Sequence, residues 1–212
     1  MEHYKNNKDI IDYLTSKELA PHTFQKLHLT KDELVITTYE KTESLFLLEQ
    51  GLASVEILDD SRHYISAFIF ENDFFGLDAF SSFPTKGHAI RIISPTANII
   101  KIKKDTLLTA LSQKPELYEL LLTNFADIFQ RHYYFLDFLN LMPVERIKAT
   151  LQYLSDFISE PTEDGHLQLP KEITQSILAR FCRTSQPRVS TSLKELHNTG
   201  FLLTKSAPFL IA

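Results

Sequence analysis

The side chains of Gln186, Arg188 and Thr191 are of the types that bind the edges of nucleic-acid bases. A Gln amide can pair with N6 and N7 of adenine, and an arginine guanidinium can pair with O6 and N7 of guanine. A threonine can contact a thymine methyl group or a phosphate. If these residues lie at the start of one helix, that helix could enter a major groove. We interpret the three as base-reading residues.

Hydroxyl and basic side chains near these residues are suited to the phosphate backbone. Ser185 directly precedes Gln186, and its hydroxyl could serve either as a helix N-cap or as a phosphate contact. Four cations are further candidates for phosphate contacts, with an ordinary solvated surface as the alternative: Arg180, Arg183, Lys194 and Lys205.

The pattern around these residues predicts two short helices joined by a turn. Thr174 is a suitable N-cap for the helix QSILARFC, the turn RTSQ follows, and a second helix, PRVSTSLKELHNTG, runs to a C-cap at Gly200. The tail FLLTKSAPFLIA is typical of two short strands. We therefore predict a winged helix-turn-helix over about residues 172–211. Its shared core would comprise Ile177, Leu178, Phe181, Val189, Leu193 and Leu196.

The charge distribution supports the same interpretation. Residues 1–142 carry 14 Lys and Arg against 20 Asp and Glu, a net charge of -6. Residues 171–205 carry 6 Lys and Arg against 2 Asp and Glu, a net charge of +4. An acidic body with a small basic end is expected when only that end meets phosphate.

Short runs rich in β-branched and aromatic residues dominate the chain from Phe24 to Lys104. Examples are ELVITTY, SLFLLEQ, LASVEIL, YISAFIF, AIRIIS and NIIKIKK, with turn-like clusters between them. This spacing predicts an antiparallel β-roll, jelly-roll-like, preceded by a short helix over residues 7–20. With the helices that follow, the predicted fold class is α+β.

One long helical pattern runs from Pro115 to Met142, and it is apolar on more than one face. A second copy of the chain could cover the extra face, so we predict a homodimer; the alternative is a helix wholly buried in its own monomer. We predict a hinge at residues 140–143, and domains at 1–108 (sensor), 109–142 (dimerisation helix) and 143–212 (DNA-binding). The candidate dimer residues are Leu121, Phe125, Ile128, Phe129, His132 and Leu136.

Three segments in this order resemble the Crp/Fnr superfamily of transcription regulators. LFLLEQGLASVEIL is similar to the family's strand-Gly-strand hairpin, and FENDFFG to its x-x-G-D-x-x-G turn, with Asn72 in place of the first Gly. ITQSILARFCRTSQPRVSTSLKELHNTGFL aligns without gaps to the family's helix-turn-helix. The resemblance implies a homodimer that binds palindromic double-stranded DNA. RNA polymerase and an unidentified small-molecule effector are further candidate partners.

The candidate effector pocket departs from the family's pattern. Members that bind cyclic AMP hold the ribose with a Glu that directly follows a Gly of the family's motif, which corresponds to Gly76 here. This chain has Leu77 at the position of that Glu, although Asp78 could take its role if the alignment shifts by one residue. Gly87 and His88 stand at the positions of the family's Arg-Ser/Thr pair. A buried cyclic phosphate needs a guanidinium or an equivalent charge. We therefore predict no control by cyclic AMP, as in the family's pathogen regulators that lack this Arg.

Other functions find little support in the sequence. The histidine spacing contains no metal-ligand motif, and the chain has neither a Gly-rich phosphate loop nor a nucleophile elbow, so we expect no catalytic residue, metal or cofactor. No run is long enough to span a membrane and no signal peptide begins the chain, so a cytoplasmic protein is expected. Cys182 is interpreted as a packing residue or a redox switch, and His132 as a packed residue or a pH sensor. The competing function is a dimeric protein-interaction module with weak or no DNA binding.

Overall fold

The computed structural model describes residues 9–10, 12–13, 24–37, 42–59, 62–83 and 87–212. The chain forms two compact units. One comprises Met1–Arg62 and Ala67–Gln130, and the other comprises His63–Ser66 and Arg131–Ala212. The functional boundaries at residues 108 and 142 stay predictions.

The strands between Phe24 and Lys103 form two four-stranded sheets. Their orders are β1-β8-β3-β6 and β2-β7-β4-β5, and the strand pairings described are antiparallel, as predicted. The predicted helix over residues 7–20 lies mostly outside the described residues. The strands are β1 (Phe24–Thr30), β2 (Leu34–Ile36), β3 (Ser44–Gln50), β4 (Ala53–Asp59), β5 (Arg62–Ile69), β6 (Phe74–Phe75), β7 (His88–Ile92) and β8 (Thr96–Lys103).

The sheet that contains β3 and β8 is buried on both faces. Because side chains alternate along a strand, Phe46 and Leu48 of β3 belong to one core cluster, whereas Leu45 and Leu47 belong to another. The first cluster joins the two sheets, and the second joins β3 and β8 to helices. The unbroken apolar run in SLFLLEQ follows from this position in the middle layer.

Two helices follow the sheets, α1 (Lys104–Gln113) and α2 (Leu117–Phe138). Helix α1, which was not predicted from the sequence, covers part of the sheet through Leu107 and Leu111. The predicted long helix is confirmed, although it is shorter than the span from Pro115 to Met142. After Phe138 the amides of residues 139–141 each bond to the carbonyl three positions earlier, which is the tighter geometry common at helix ends.

The second unit contains α3 (Pro143–Ile158), α4 (Gln175–Phe181) and α5 (Gln186–Asn198). A small antiparallel sheet of order β11-β10-β9 accompanies them, formed by β9 (Glu160–Pro161), β10 (Leu167–Gln168) and β11 (Leu210–Ile211). Of the two predicted final strands, the second is β11. The first reduces to a single bridge between Leu202 and Ile211.

The last turns of α2 belong to the core of this second unit. The Phe135 ring stacks on Phe181, with 3.9 Å between the ring centroids, and Phe138 packs edge-on against Tyr153. Phe135 and Phe138 are buried. Aromatic packing therefore holds the chain immediately before residues 140–143. The hinge expected at those residues stays a prediction.

Candidate nucleic-acid interface

Side-chain and backbone caps define the ends of the two short helices. The Oγ1 atom of Thr174 accepts a hydrogen bond from the amide of Ile177 at 3.3 Å, which confirms the predicted N-cap of α4. Residues 182–185 form the turn, and Arg183 adopts the left-handed conformation with φ of 50°. Gly200, with φ of 79°, follows the end of α5 in the position where a left-handed residue is favoured.

The two helices share one apolar core, as predicted. Its residues are less than one-tenth exposed, and they come from both helices: Ile177, Leu178, Phe181, Val189, Leu193 and Leu196. Burial of this face leaves the polar face of α5 in solvent. The position of the turn is therefore set by apolar packing beneath it.

We use the name α5 face for the exposed residues Ser185, Gln186, Arg188, Thr191 and Lys194. A helix advances about 100° per residue, so Arg188, Thr191 and Lys194, three positions apart, lie along one side. Gln186 leaves the helix on another side, in its first turn. The structure thus aligns Arg188 with Thr191 but does not align Gln186 with them.

The hydroxyl groups on this face differ in their bonding. Thr191 donates its Oγ1 proton to the carbonyl of Pro187 at 3.1 Å, so this proton is already engaged. Ser185 occupies the N-cap position of α5 but makes no side-chain cap bond. Of its two interpretations, a phosphate contact therefore fits this geometry better than a cap.

The predicted phosphate-binding cations are not equally accessible. Arg183, Lys194 and Lys205 are exposed, whereas Arg180 is half-buried and its Nε atom lies out of solvent. Glu195, which was counted only in the net charge of residues 171–205, is exposed one turn after Thr191. Its carboxylate would repel phosphate at the end of the α5 face. The sequence contained a signal for this position, because a residue four positions after Thr191 lies on the same side of a helix.

Cys182 is fully buried at the start of the turn. Burial raises the pKa of its thiol to about 11, although a hydrogen bond with Thr150 and the charge of Arg146 act in the opposite direction. A thiolate is therefore disfavoured, and the thiolate is the reactive form in oxidation. This environment supports the packing interpretation over the redox switch.

In the first unit, residues 70–76 form the turn that resembled the family's glycine-containing motif. Asn72 takes a φ of 68°, which explains how it can replace a glycine. Asp73 accepts a hydrogen bond from the amide of Phe70 at 2.9 Å and stabilises the same turn. At Gly76, with φ of 79°, an added Cβ would lie 2.8 Å from the carbonyl oxygen of Ser44.

The candidate effector residues next to this turn offer little positive charge. Leu77 packs against the apolar core, and Asp78 accepts a hydrogen bond from the amide of Thr42 at 3.3 Å. Gly87 and His88 are half-buried at the start of β7. The guanidinium on the same strand belongs to Arg91, which lies between two core residues.

The neighbours of Arg91 are Ile90 and Ile92, which belong to the core between the sheets. Arg91 must therefore point to the opposite face of its strand. Its Nε atom lies 3.0 Å from the buried Glu56 carboxylate, and Nη1 donates to the carbonyl of Asp32 at 2.8 Å. The guanidinium therefore bonds to Glu56 and Asp32 on the face of the sheet that is turned away from the core.

One side of α2 exposes large apolar residues. Leu122, Phe129, Tyr133 and Leu136 are 64, 57, 63 and 45% exposed. Leu122, Phe129 and Leu136 follow each other at seven-residue intervals, the spacing of a helix pairing seam. We use the name α2 stripe for these four residues.

The structure divides the predicted dimer residues into two groups. Phe129, His132 and Leu136 are exposed and Ile128 is half-buried, whereas Leu121 is only 4% exposed. Phe125 packs edge-on against Phe74 of the same chain. The β-roll occupies the side of the helix on which Leu121 and Phe125 lie. Leu121 was therefore wrongly placed on a dimer surface, whereas the role of the half-buried Phe125 stays a prediction.

Partial loss of hydration, and then the charges of Arg131 and Arg183, lower the pKa of His132. The lowered pKa favours a neutral imidazole at neutral pH. An apolar helix-helix contact at this position would therefore not have to desolvate a charged ring.

The succession of a two-sheet β-roll, a 22-residue helix and a unit of paired helices with a small sheet is the Crp/Fnr fold. A cyclic nucleotide-binding domain containing protein from Listeria monocytogenes EGD-e is 38% identical to this chain, with 97% of each chain covered and a TM-score of 0.86. Given that identity over nearly the whole length, the chain belongs to the Crp/Fnr superfamily.

More distant solved structures share the fold. The c-di-GMP responsive global regulator CLP of Xanthomonas campestris is 20% identical, with 89% of this chain and 93% of that chain covered and a TM-score of 0.70. A CRP-family transcriptional regulator from Thermus thermophilus is 19% identical, with coverages of 87 and 90% and a TM-score of 0.68. No protein-family model and no curated protein sequence matches this chain. Within the described residues, every helix is too short or too polar to cross a bilayer.

Proposed function

We propose that this protein is a homodimeric, sequence-specific DNA-binding transcription regulator whose residues 172–211 form a winged helix-turn-helix. The observation that carries the proposal is the α5 face, which is polar and exposed directly above a buried core. It lies in the basic segment of an otherwise acidic chain. Base-edge chemistry, exposure and local positive charge thus coincide on one helix.

In this proposal the side chains have separate tasks. Arg188 and Thr191 read bases from the aligned side of α5, and Gln186 reads a base from its first turn. Ser185 and the exposed cations contact phosphates and contribute affinity without choosing a sequence. Arg180, which is half-buried, would contribute least.

Selection from random duplexes with the full chain tests this function. We expect recovery of a palindrome whose half-sites are separated by about one helical turn, because each copy of the dimer presents one α5. A dimeric protein-interaction module would enrich no sequence. Absence of enrichment at physiological salt, together with no binding of any duplex at low salt, where phosphate contacts are strongest, would therefore favour that alternative.

We further propose that cyclic AMP does not control this regulator. Leu77, at the position of the family's ribose-binding Glu, cannot accept hydrogen bonds from a ribose, and the guanidinium of Arg91 is already paired with Glu56. A cyclic phosphate would consequently lose its hydration without a compensating guanidinium. Calorimetric titration with cyclic AMP is expected to give no micromolar binding, and a saturable micromolar isotherm would overturn this proposal.

The engaged hydroxyl of Thr191 leads to a prediction about the part of this residue that reads DNA. Because Oγ1 already donates to Pro187, we expect the γ-methyl group to contact a thymine methyl. Thr191→Val keeps that methyl group and is expected to preserve discrimination between thymine and uracil at the contacted position. Thr191→Ser removes it and is expected to abolish a preference of about three- to fourfold, the value of one buried methyl group.

The measurement is the ratio of dissociation constants for the selected duplex with thymine or uracil at that position. Uracil lacks only the C5 methyl group, so the ratio isolates the methyl contact. A loss of affinity in Thr191→Val on both duplexes, with Thr191→Ser unchanged, would instead assign the contact to the hydroxyl group.

A further inference from the structure

Arg146 lies in the first turn of α3 and joins three backbone carbonyls from two separate segments. Its Nη1 atom donates to the carbonyl of Cys182 at 2.8 Å. Its Nη2 atom donates to the carbonyls of Leu139 and Leu141 at 2.8 and 2.9 Å. One planar guanidinium thus connects the chain just beyond α2 to Cys182, the residue that directly follows α4 and begins the turn.

These carbonyls are of the kind that usually lack a partner, since the last carbonyls of a helix have no amide to bind within it. A guanidinium presents its donors in a fixed planar geometry, so simultaneous bonds restrict the distance and the angle between the two segments. Water could satisfy the same carbonyls, but it would not connect them.

Thr150 makes a second contact to the same position of the turn. It lies four residues after Arg146, and hence on the same face of α3. Its Oγ1 atom is 3.3 Å from the sulfur of Cys182, and both residues are fully buried. The residue before the cysteine, Phe181, stacks on Phe135 of α2. The start of the turn is therefore held through its backbone, its side chain and the preceding ring.

We infer that Arg146 is a positioning residue for the α5 face, which it reaches through the Cys182 carbonyl and the turn 182–185. This inference rests on the proposed DNA-binding function. Arg188 follows the clamped cysteine by only six residues, so a shift of the turn would move the reading residues relative to the bases. Tight recognition of bases is sensitive to such shifts, whereas general attraction to phosphate is not.

Two variants of the full chain test this role, with one matched control. Arg146→Lys keeps the positive charge but cannot bridge the two segments with a rigid fork. Thr150→Val removes the contact to the sulfur while preserving shape. Lys148→Ala is the control, because it removes a positive charge from the same helix, where the Lys148 ammonium lies over the Phe201 ring and is not bonded to the turn.

The first measurement is amide hydrogen exchange without DNA. In Arg146→Lys we expect exchange within residues 182–188 to accelerate about tenfold, the effect of losing one charge-assisted hydrogen bond, while exchange in the β-roll stays unchanged. Thr150→Val should show a smaller acceleration in the same segment. Wild-type exchange of this segment in both variants would overturn the inference, whatever the protein binds.

The second measurement is affinity for the selected palindrome and for an unrelated duplex of equal length. Arg146→Lys is expected to lose about tenfold in specific affinity and less than about twofold in non-specific affinity, whereas Lys148→Ala keeps the wild-type ratio. An unchanged ratio in Arg146→Lys would overturn the positioning role. If the wild type prefers no sequence, the proposed function fails, and hydrogen exchange alone decides the role of Arg146.

Discussion

The double substitution Phe129→Glu and Leu136→Glu is expected to convert the proposed dimer to a monomer. Both side chains belong to the α2 stripe, and they are 57 and 45% exposed in the single chain. In a paired helix they would be covered, and two carboxylates per copy would then lose hydration next to two others. The monomer should bind the palindrome at least about 100-fold more weakly, because its two half-sites are no longer engaged together.

Sedimentation equilibrium and titration of the labelled palindrome measure the two effects. Leu34→Glu is a suitable control, since Leu34 is a similarly exposed leucine, 40%, on β2 and outside the α2 stripe. The control should remain dimeric with unchanged DNA affinity. A double variant that still sediments as a dimer would show that another surface joins the copies, and the α2 stripe would then need a different explanation.

The assignment of this stripe also shows where the sequence was ambiguous. The segment ELYELLLTNFADIFQRHYYFLDF is apolar on nearly every side, so a helical period alone could not distinguish the side that packs on the β-roll from the other. Leu121 and Phe125 proved to face the chain's own core, whereas Leu122 and Tyr133, which were not selected, are exposed. Knowledge of the neighbouring sheet was needed to separate them.

The strands of the β-roll were more predictable, because two-residue alternation and turn clusters are local signals. The same signals missed β1, whose sequence FQKLHLT alternates but contains few strongly apolar residues. β1 is an edge strand that pairs with β8. This pairing compensates for the weak β-propensity of its own residues. β1 was consequently harder to recognise than a central strand such as β3.

The helices and caps of the candidate interface could be predicted from the sequence, whereas the contacts that hold its turn in place could not. Thr174 and Gly200 are residue types that favour helix ends for known physical reasons, so the caps could be read from the sequence. The contacts of Arg146 do not, because its three acceptors are backbone atoms, from Leu139, Leu141 and Cys182. A backbone carbonyl carries no sequence signature, so only the fold could connect them.

Replacing Arg188 by Ala is expected to change which sequences the protein prefers. Arg188 is exposed on the aligned side of α5, where its guanidinium can form two hydrogen bonds with a guanine. Its removal should cost about 1 to 3 kcal/mol on the selected palindrome and relax the preference at one base pair of each half-site. Affinity for an unrelated duplex should fall much less, because only one positive charge is lost.

Lys205→Ala provides the matched comparison, since it also removes one exposed cation but lies in the tail after α5. If it contacts a phosphate, specific and non-specific duplexes should weaken alike, and the slope of log affinity against log salt should decrease by about one. Both variants should be titrated against every base at the affected position and over several salt concentrations. Equal losses on all duplexes for Arg188→Ala would reassign this residue to the backbone, and base choice would then depend on Gln186 and Thr191.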